Sequence, residues 1–197
     1  MSEGFIIRPG FPDHLREQFG QIYFEAFAGK IGWPLGGTST GPGIIAESLD
    51  PRFALTAISR DGTRALGIAG YKTHGGALVS RLEDRMRARF GGFSLLWRLS
   101  VLSILERDLP EDQLLLDGIA VHAQARGMGV GSALLTAVEA EARRRKLRGV
   151  RLDVIDGNTR ARALYQRRGY LAEGTSDLGP LRHLFGFRRA TSMCKAV

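Results

Sequence analysis

The sequence predicts an α/β fold, a single unit of strands and helices around one core, and three features lead there. Short apolar runs bounded by glycine, proline or aspartate alternate with segments of helical period along the chain. The Asp61-Gly62 pair between two such runs marks a tight antiparallel hairpin. A nearly continuous apolar run at 113–121 leads straight into a glycine-rich turn and then an amphipathic segment, the order strand, turn, helix. With 197 residues, 44% hydrophobic and 24% charged, the chain has the length of one domain and the composition of an ordinary globular protein. The domain expected is 1–197, carrying a helical insert at about 78–107.

Taken in order, "FIIR" at 5–8 stops at Pro9 and reads as a first strand. Asp13 is placed to cap a helix whose apolar stripe is Leu15, Phe19, Ile22, Tyr23 and Phe27. Glycine and proline crowd the stretch 29–43, which predicts an irregular loop with room for a ligand. The hairpin strands are 53–59 and 64–72. From 78 to 107 the spacing predicts two helices broken at Gly91-Gly92, and the apolar content exceeds what a solvated helix needs. Strand 113–121 follows, then a helix at 130–146 with Val130, Ala133, Leu134, Ala137 and Val138 on one face and Gly149 as its stop. "VRLDVI" at 150–155 alternates as a strand. Asn158 is placed to cap a short helix closed by Gly169, and 188–197 is the best strand candidate in the last segment.

Charge and cysteine usage narrow the function classes. Twenty-eight basic residues against 20 acids give a net charge of +8, which suits a nucleic acid, an anionic surface or a polyphosphate ligand and sets no fold. The basic runs at 142–148 and 181–189 read as solvated faces, since the first lacks aromatic stacking platforms; no nucleic-acid partner is expected. The one cysteine, Cys194, excludes an intramolecular disulfide and a multi-thiolate zinc site, and fits a reducing cytoplasm. No metal is expected. The start lacks a secretory signal pattern, and Arg98 and Gly118 interrupt the longest apolar stretches, so neither export nor a membrane span is expected.

Glycines at 127, 129 and 131 sit ahead of a strongly helical run, where each costs roughly 1 kcal/mol in helix propensity. Three phosphate-binding patterns compete for them. A P-loop needs a lysine after the glycines, and none follows. A dinucleotide fingerprint needs a third glycine where the chain has Leu134 or Ser132. The pattern Gln/Arg-x-x-Gly-x-Gly/Ala is met in full by Arg126, Gly129 and Gly131. The first N–H groups of a helix, with the positive end of its dipole, form an anion site there, and missing Cβ atoms let a phosphate come close.

These residues resemble the pyrophosphate-binding motif of the GNAT superfamily of acyl-CoA-dependent N-acyltransferases. A second segment, "NTRARALYQRRGY" at 158–170, is similar to another motif of that family at Asn158, Ala161, Leu164, Tyr165, Gly169 and Tyr170. The resemblance implies the GNAT fold: a mixed, largely antiparallel central sheet flanked by helices, splayed between the fourth and fifth strands, 113–121 and 150–155. It implies acetyl-CoA as acyl donor and direct transfer of the acetyl group to a primary amine of a small molecule or peptide. The backbone of Arg126, Gly127, Met128, Gly129, Val130, Gly131 and Ser132 would take the pyrophosphate, with that of Ile119, Ala120 and Val121 on the pantetheine and N–H groups near Val121 on the oxyanion. Asn158 is either a helix cap alone or, as the resemblance implies, a cap that also touches the cosubstrate.

Tyr165 is either a core aromatic or, as the resemblance implies, the acid that protonates the departing CoA thiolate. Asp117 inside an apolar strand is the candidate base, on the expectation that burial raises its pKa; the alternative is a polar strand edge or a pairing with an arginine. His122, just before the turn, is either a second candidate base or, as the favoured reading, a surface histidine at a strand end. The insert at 78–107 serves as a lid over the acceptor, a homodimer face or a membrane-surface helix, the first two being favoured. Trp33 and Trp97 are candidate acceptor walls or core residues. The rival from another class is a non-catalytic acyl-CoA-binding regulatory module, against which Tyr165 argues, since a binder needs no thiol acid.

Overall fold

The computed structural model describes residues 4–103, 109, 111–177, 179 and 187–197. The strands are β1 (Phe5–Pro9), β2 (Ala54–Ser59), β3 (Ala65–Thr73), the two-residue β4 (Gly76–Ala77), β5 (Gln113–Val121), β6 (Gly149–Ile155), β7 (Leu171–Asp177) and β8 (Arg189–Ala196). They form one sheet in the order β1-β2-β3-β5-β6-β8-β7, with β4 on β3. Every pairing is antiparallel except β5 with β6. The mixed, largely antiparallel sheet expected from the sequence is therefore present. β4 moves the strands at 113–121 and 150–155 to fifth and sixth place.

The helices are α1 (Arg16–Ile31), α2 (Gly41–Ser48), α3 (Leu82–Arg87), α4 (Gly92–Ser103), α5 (Val130–Arg144) and α6 (Thr159–Arg167). Two glycines show how they sandwich the sheet. Gly67 and Gly70 are three apart on β3 and so face opposite sides. A Cβ at Gly67 would meet Val130 and Leu134 of α5. Gly118, paired with Gly70, lies under the Phe27 ring of α1. The apolar residues of α1 and α5 are buried accordingly: Phe19, Ile22, Tyr23 and Phe24 on one, Val130, Leu134, Leu135 and Val138 on the other.

The hairpin forms with Gly62 at φ +75 and its N–H donating to the Ser59 carbonyl at 2.9 Å. The Asp61 carboxylate accepts from the Thr63 N–H and the Ser59 hydroxyl, which lowers its pKa to about 2. The insert forms two helices that part at the Gly91-Gly92 break, with Gly92 at φ +51; residues 104–107 of it lie outside the described residues.

Three expectations are corrected. Asp13 caps nothing: the chain enters α1 through a 3-10 turn at Asp13–Leu15, and the Asp13 carboxylate accepts from Arg16 Nε at 2.7 Å instead. The stretch 29–43 is less irregular than its glycines suggest. Helix α1 runs on to Ile31, turns occupy 32–40, and α2 begins at Gly41 with Pro42 in its first turn, where a missing N–H costs nothing. Gly149 does not end α5 but opens β6; Lys146 takes the left-handed conformation at φ 60, and the Leu147 N–H closes back on the Ala142 carbonyl.

The run at 142–148 is largely spent on ion pairs. Arg144 and Arg145 both hold Glu141 at 2.7 Å, and Arg148 reaches Asp112 at 3.9 Å. Hydrogen bonds from the two arginines hold the Glu141 pKa down at about 2, against the opposing effect of partial burial. Most of the run at 181–189 lies outside the described residues, while Arg188 and Arg189 pair with Asp177. No helix among the described residues is long and apolar enough to cross a membrane.

Two stability predictions follow from this packing. At Gly20 the backbones of α1 and α2 meet so closely that a Cβ would lie 2.5 Å from Ala46 Cβ. Gly20→Ala is expected to lower stability in urea unfolding by about 1–2 kcal/mol, the overpacking outweighing the gain in helix propensity, and Ala46→Gly in that background to restore part of it. Under α5, Lys195 Nζ pairs at 2.9 Å with Glu139, which is only 4% exposed. Lys195→Met strands that carboxylate and is expected to cost about 3 kcal/mol, whereas Lys195→Met with Glu139→Leu recovers most of the loss.

Candidate active site

The site begins with a fault in the ladder. Strand β5 pairs with β6 only from Gln113 with Gly149 to Leu116 with Leu152. Beyond that both strands continue, β5 to Val121 and β6 to Ile155, without pairing to each other. On its other side β5 stays joined to β3, with a register shift: Tyr71 faces Leu116 and Gly70 faces Gly118. Asp117 is the extra residue of this β-bulge. A bulge bends its strand and increases its twist, which turns β5 away from β6 and re-aims the Asp117 side chain. The splay predicted between these two strands is present.

A cavity of about 260 Å³ fills the parting. Asp117, Gly118 and Ile119 from β5 line it, with Asp153, Val154 and Ile155 from β6, and Asn158, Ala161 and Tyr165 at its α6 end. Ala26, Phe27 and Gly29 of α1 close the remaining side. Asp117 also lines a second cavity of about 700 Å³ on the side of α3 and α4. Asp117 lines both and is exposed, so the expectation that this aspartate is buried is corrected. An apolar strand sequence does not bury a residue that the bulge turns outward. Beside it on α1, the buried Tyr23 has its pKa pushed up by burial, and further by the nearby Asp117 carboxylate.

Tyr165 is 8% exposed, and burial lifts its pKa to about 12. The buried Tyr170 packs against it with ring centroids 5.9 Å apart. Asn158 caps α6 as expected: its side chain accepts from the Ala161 N–H at 3.1 Å. This cap fixes the first turn of the helix whose second turn carries Tyr165.

The glycine turn lies at the far end of β5. Gly127 and Gly129 adopt φ +85 and +83, a conformation that suits glycine, and nothing lies within 4 Å of a Cβ built on either. Gly129 is the N-cap of α5, and no side chain bonds to this helix end. The N–H groups of Val130, Gly131 and Ser132 thus have no intrahelical acceptor, the first such bond being Ala133 to Gly129 at 3.0 Å. Gly131 sits against Val121 and Leu164, each 3.8 Å from a Cβ built there, which ties the turn to β5 and α6. Arg126, Gly127, Met128 and Gly129 are exposed. Ile119, Ala120 and Val121 pair with Ala69, Ile68 and Gly67 of β3, and the opposite edge of this segment is the one β6 leaves open.

Other sequence candidates fall elsewhere. His122 uses Nδ1 to accept from the Gln124 N–H at 3.4 Å and lines a separate cavity with Glu17, Gln18 and Met128. Trp33 and Trp97 stack on each other with centroids 4.3 Å apart and line neither of the two cavities that share Asp117; Trp33 is 59% exposed, so it is no core residue either. Asp153, Phe27 and Tyr23 reach the site without having been singled out. Asp153 accepts from the Ser192 hydroxyl at 2.5 Å. The two aromatics belong to the stripe that defined α1, and period alone does not say which members of a stripe end at a cavity.

Residues 90–170 match the model of the Acetyltransferase (GNAT) family, a span that ends on the second motif. A comparison with curated proteins finds no significant match. Among solved structures, an N-acetyltransferase from Staphylococcus aureus Mu50 is similar with a TM-score of 0.73 at 13% identity, over 96% of this chain and 100% of the other. A GCN5-related N-acetyltransferase from Kribbella flavida is similar with a TM-score of 0.64 at 19% identity, over 100% of both chains. At such identities the likeness speaks for the fold, and the family match speaks for the segment that carries the glycine turn and Tyr165. Residues 90–170 thus match the GNAT acetyltransferase family in sequence, and the chain around them has the fold of solved N-acetyltransferases.

Proposed function

We propose that the chain moves the acetyl group of acetyl-CoA directly to a primary amine, working as one acyltransferase domain with 78–107 as an insert beside the acceptor. The observation that carries this reading is the cavity at the parting of β5 and β6, where Asp117 and Tyr165 share one space. In it the N–H groups of Val130, Gly131 and Ser132 hold the pyrophosphate, which Gly127, Gly129 and Gly131 leave room to approach, with Arg126 and Met128 flanking it. The open edge of β5 at Ile119, Ala120 and Val121 takes the pantetheine amides, and Asn158 borders the same cavity.

Acetyl-CoA supplies the thioester. Asp117 draws the ammonium of the acceptor and removes its proton, directly or through water, so that a neutral nitrogen attacks the carbonyl carbon. N–H groups near Val121 steady the oxyanion. When the adduct collapses and the C–S bond breaks, Tyr165 gives its proton to the sulfur, the nitrogen loses its second proton to water, Tyr165 regains one from water, and the proton on Asp117 is released, leaving amide, thiol and one proton. Burial holds the Tyr165 hydroxyl protonated with a pKa of about 12, and transfer to sulfur then relies on the same desolvation making the departing thiolate a stronger base than it is in water. The reducing cytoplasm is the compartment that fits a chain with one cysteine.

Thiol release with acetyl-CoA across an amine panel tests this. Tyr165→Phe is expected to lower kcat by about 10²-fold with CoA affinity little changed; an unchanged kcat takes Tyr165 out of the acid role. Gly131→Ala separates the ligand from the fold. A Cβ there has ordinary contacts, so the protein should be as stable as wild type or up to about 1 kcal/mol more so. Its affinity for CoA in calorimetry should nevertheless fall by about tenfold or more, about 1.4 kcal/mol. Undiminished affinity would remove the diphosphate from this turn.

A further inference from the structure

The cavity at the parting of β5 and β6 bears on which acyl groups the donor can carry, a point that rests on the acyltransfer reading above. In that reading the tetrahedral carbon has four substituents, and three have their places. The sulfur faces Tyr165 on α6, the oxygen faces the N–H groups at the open edge of β5, and the nitrogen comes from the Asp117 end of that strand. The fourth is the acyl chain, and the side left to it is the one that α1 closes. Of the α1 residues there, Ala26 and Gly29 are small and Phe27 is large.

Phe27 is held as a wall. Its ring covers Gly118 and fills the space that a Cβ on that glycine would need. Tyr23, one turn back on α1 and itself buried, packs against the ring with centroids 4.6 Å apart. A ring lodged against a strand backbone and a buried aromatic cannot swing aside without displacing one of them. The room in front of it is small. At about 260 Å³ the cavity lies below the roughly 300–1,000 Å³ of ligand sites, and it also has to take the sulfur end of the pantetheine arm. We infer that Phe27 sets the acyl specificity, admitting short groups such as acetyl and propionyl and turning away longer chains that would meet its ring. In a packed apolar site each methylene too many is worth about tenfold or more in discrimination. Without the ring, the space over Gly118 and beside Tyr23 becomes continuous with the cavity and accepts such a chain.

The test measures calorimetric binding of free CoA and of two unreactive thioethers, S-ethyl-CoA and S-hexyl-CoA, to wild type, Phe27→Leu and Phe27→Ala. Wild type is expected to bind S-hexyl-CoA at least about tenfold more weakly than S-ethyl-CoA. The gap should narrow in Phe27→Leu and close to within about threefold in Phe27→Ala, while free CoA, which has no acyl group, binds all three proteins alike. Thiol release from hexanoyl-CoA relative to acetyl-CoA, with one amine held fixed, should rise by about tenfold or more in Phe27→Ala. A ring that served only the packing of α1 would weaken all three ligands together and leave their ratios unmoved. That result overturns the inference, as does equal binding of the two thioethers by wild type. Phe27→Leu keeps a large apolar side chain against the core, so the comparison stands even where Phe27→Ala does not fold. Failure of the acyltransfer reading is a separate result, the absence of free CoA binding to the wild-type protein.

Discussion

Two parallel strands at the centre of the sheet stop pairing after four residues, and most of what is distinctive in this molecule depends on that. A parallel pair inside a sheet normally continues, because each unmade ladder bond leaves a polar backbone group in need of a partner. Here the bulge at Asp117 imposes the break: β5 stays paired with β3 on both sides of the bulge, with the register shifted by one across it, and the extra residue bends it off β6. The space that opens is bordered by backbone edges, by α1 above and by the start of α6. The sheet itself is kept intact, since β6 transfers its pairing to β8 over its whole length, from Gly149 with Ala196 to Ile155 with Ala190.

The parts around this opening are rigid for separate reasons. The glycine turn is held by three backbone bonds, Ala125 to His122, Arg126 to Ala123 and Met128 to Ala125, and by the burial of Ala125 and Val130 on either side. Tyr165 is fixed by the Asn158 cap before it and by Tyr170 behind it, whose ring in turn lies 5.7 Å from the Lys195 ammonium. The buried pair of Lys195 and Glu139 thus sits beneath the aromatic support of the candidate acid, so strength invested in the core also fixes the orientation of a side chain at the site.

What could be read in advance follows from what kind of physics each feature obeys. The strand, glycine turn and α5 were legible because propensity, period and turn chemistry all act within a few residues of Gly129. The Asn158 cap and the Asp61-Gly62 hairpin were legible for the same reason. Helix α2 was not, because Gly41, Pro42 and Gly43 speak for a loop while the burial of Ile44 and Ile45 against α1 decides for a helix. The end of α5 was misplaced onto Gly149 because a non-glycine residue, Lys146, accepts the left-handed conformation once Leu147 is anchored by its bond to Ala142. Strand β7 has only exposed residues and pairs on one edge alone, so no apolar alternation announced it. The exposure of Asp117 depends on the register between strands some fifty residues apart, which no local window contains.

The presence of Asp117 on the walls of two separate cavities has a kinetic meaning. The two cavities share Asp117 alone among their described lining residues, so the residue stands on the wall between them. In the acyltransfer reading the protein therefore needs no covalent relay that would park the acyl group on its own side chain between visits. On that reading both reactants reside together, and the order in which they come and go is set by how tightly each holds to its own chamber.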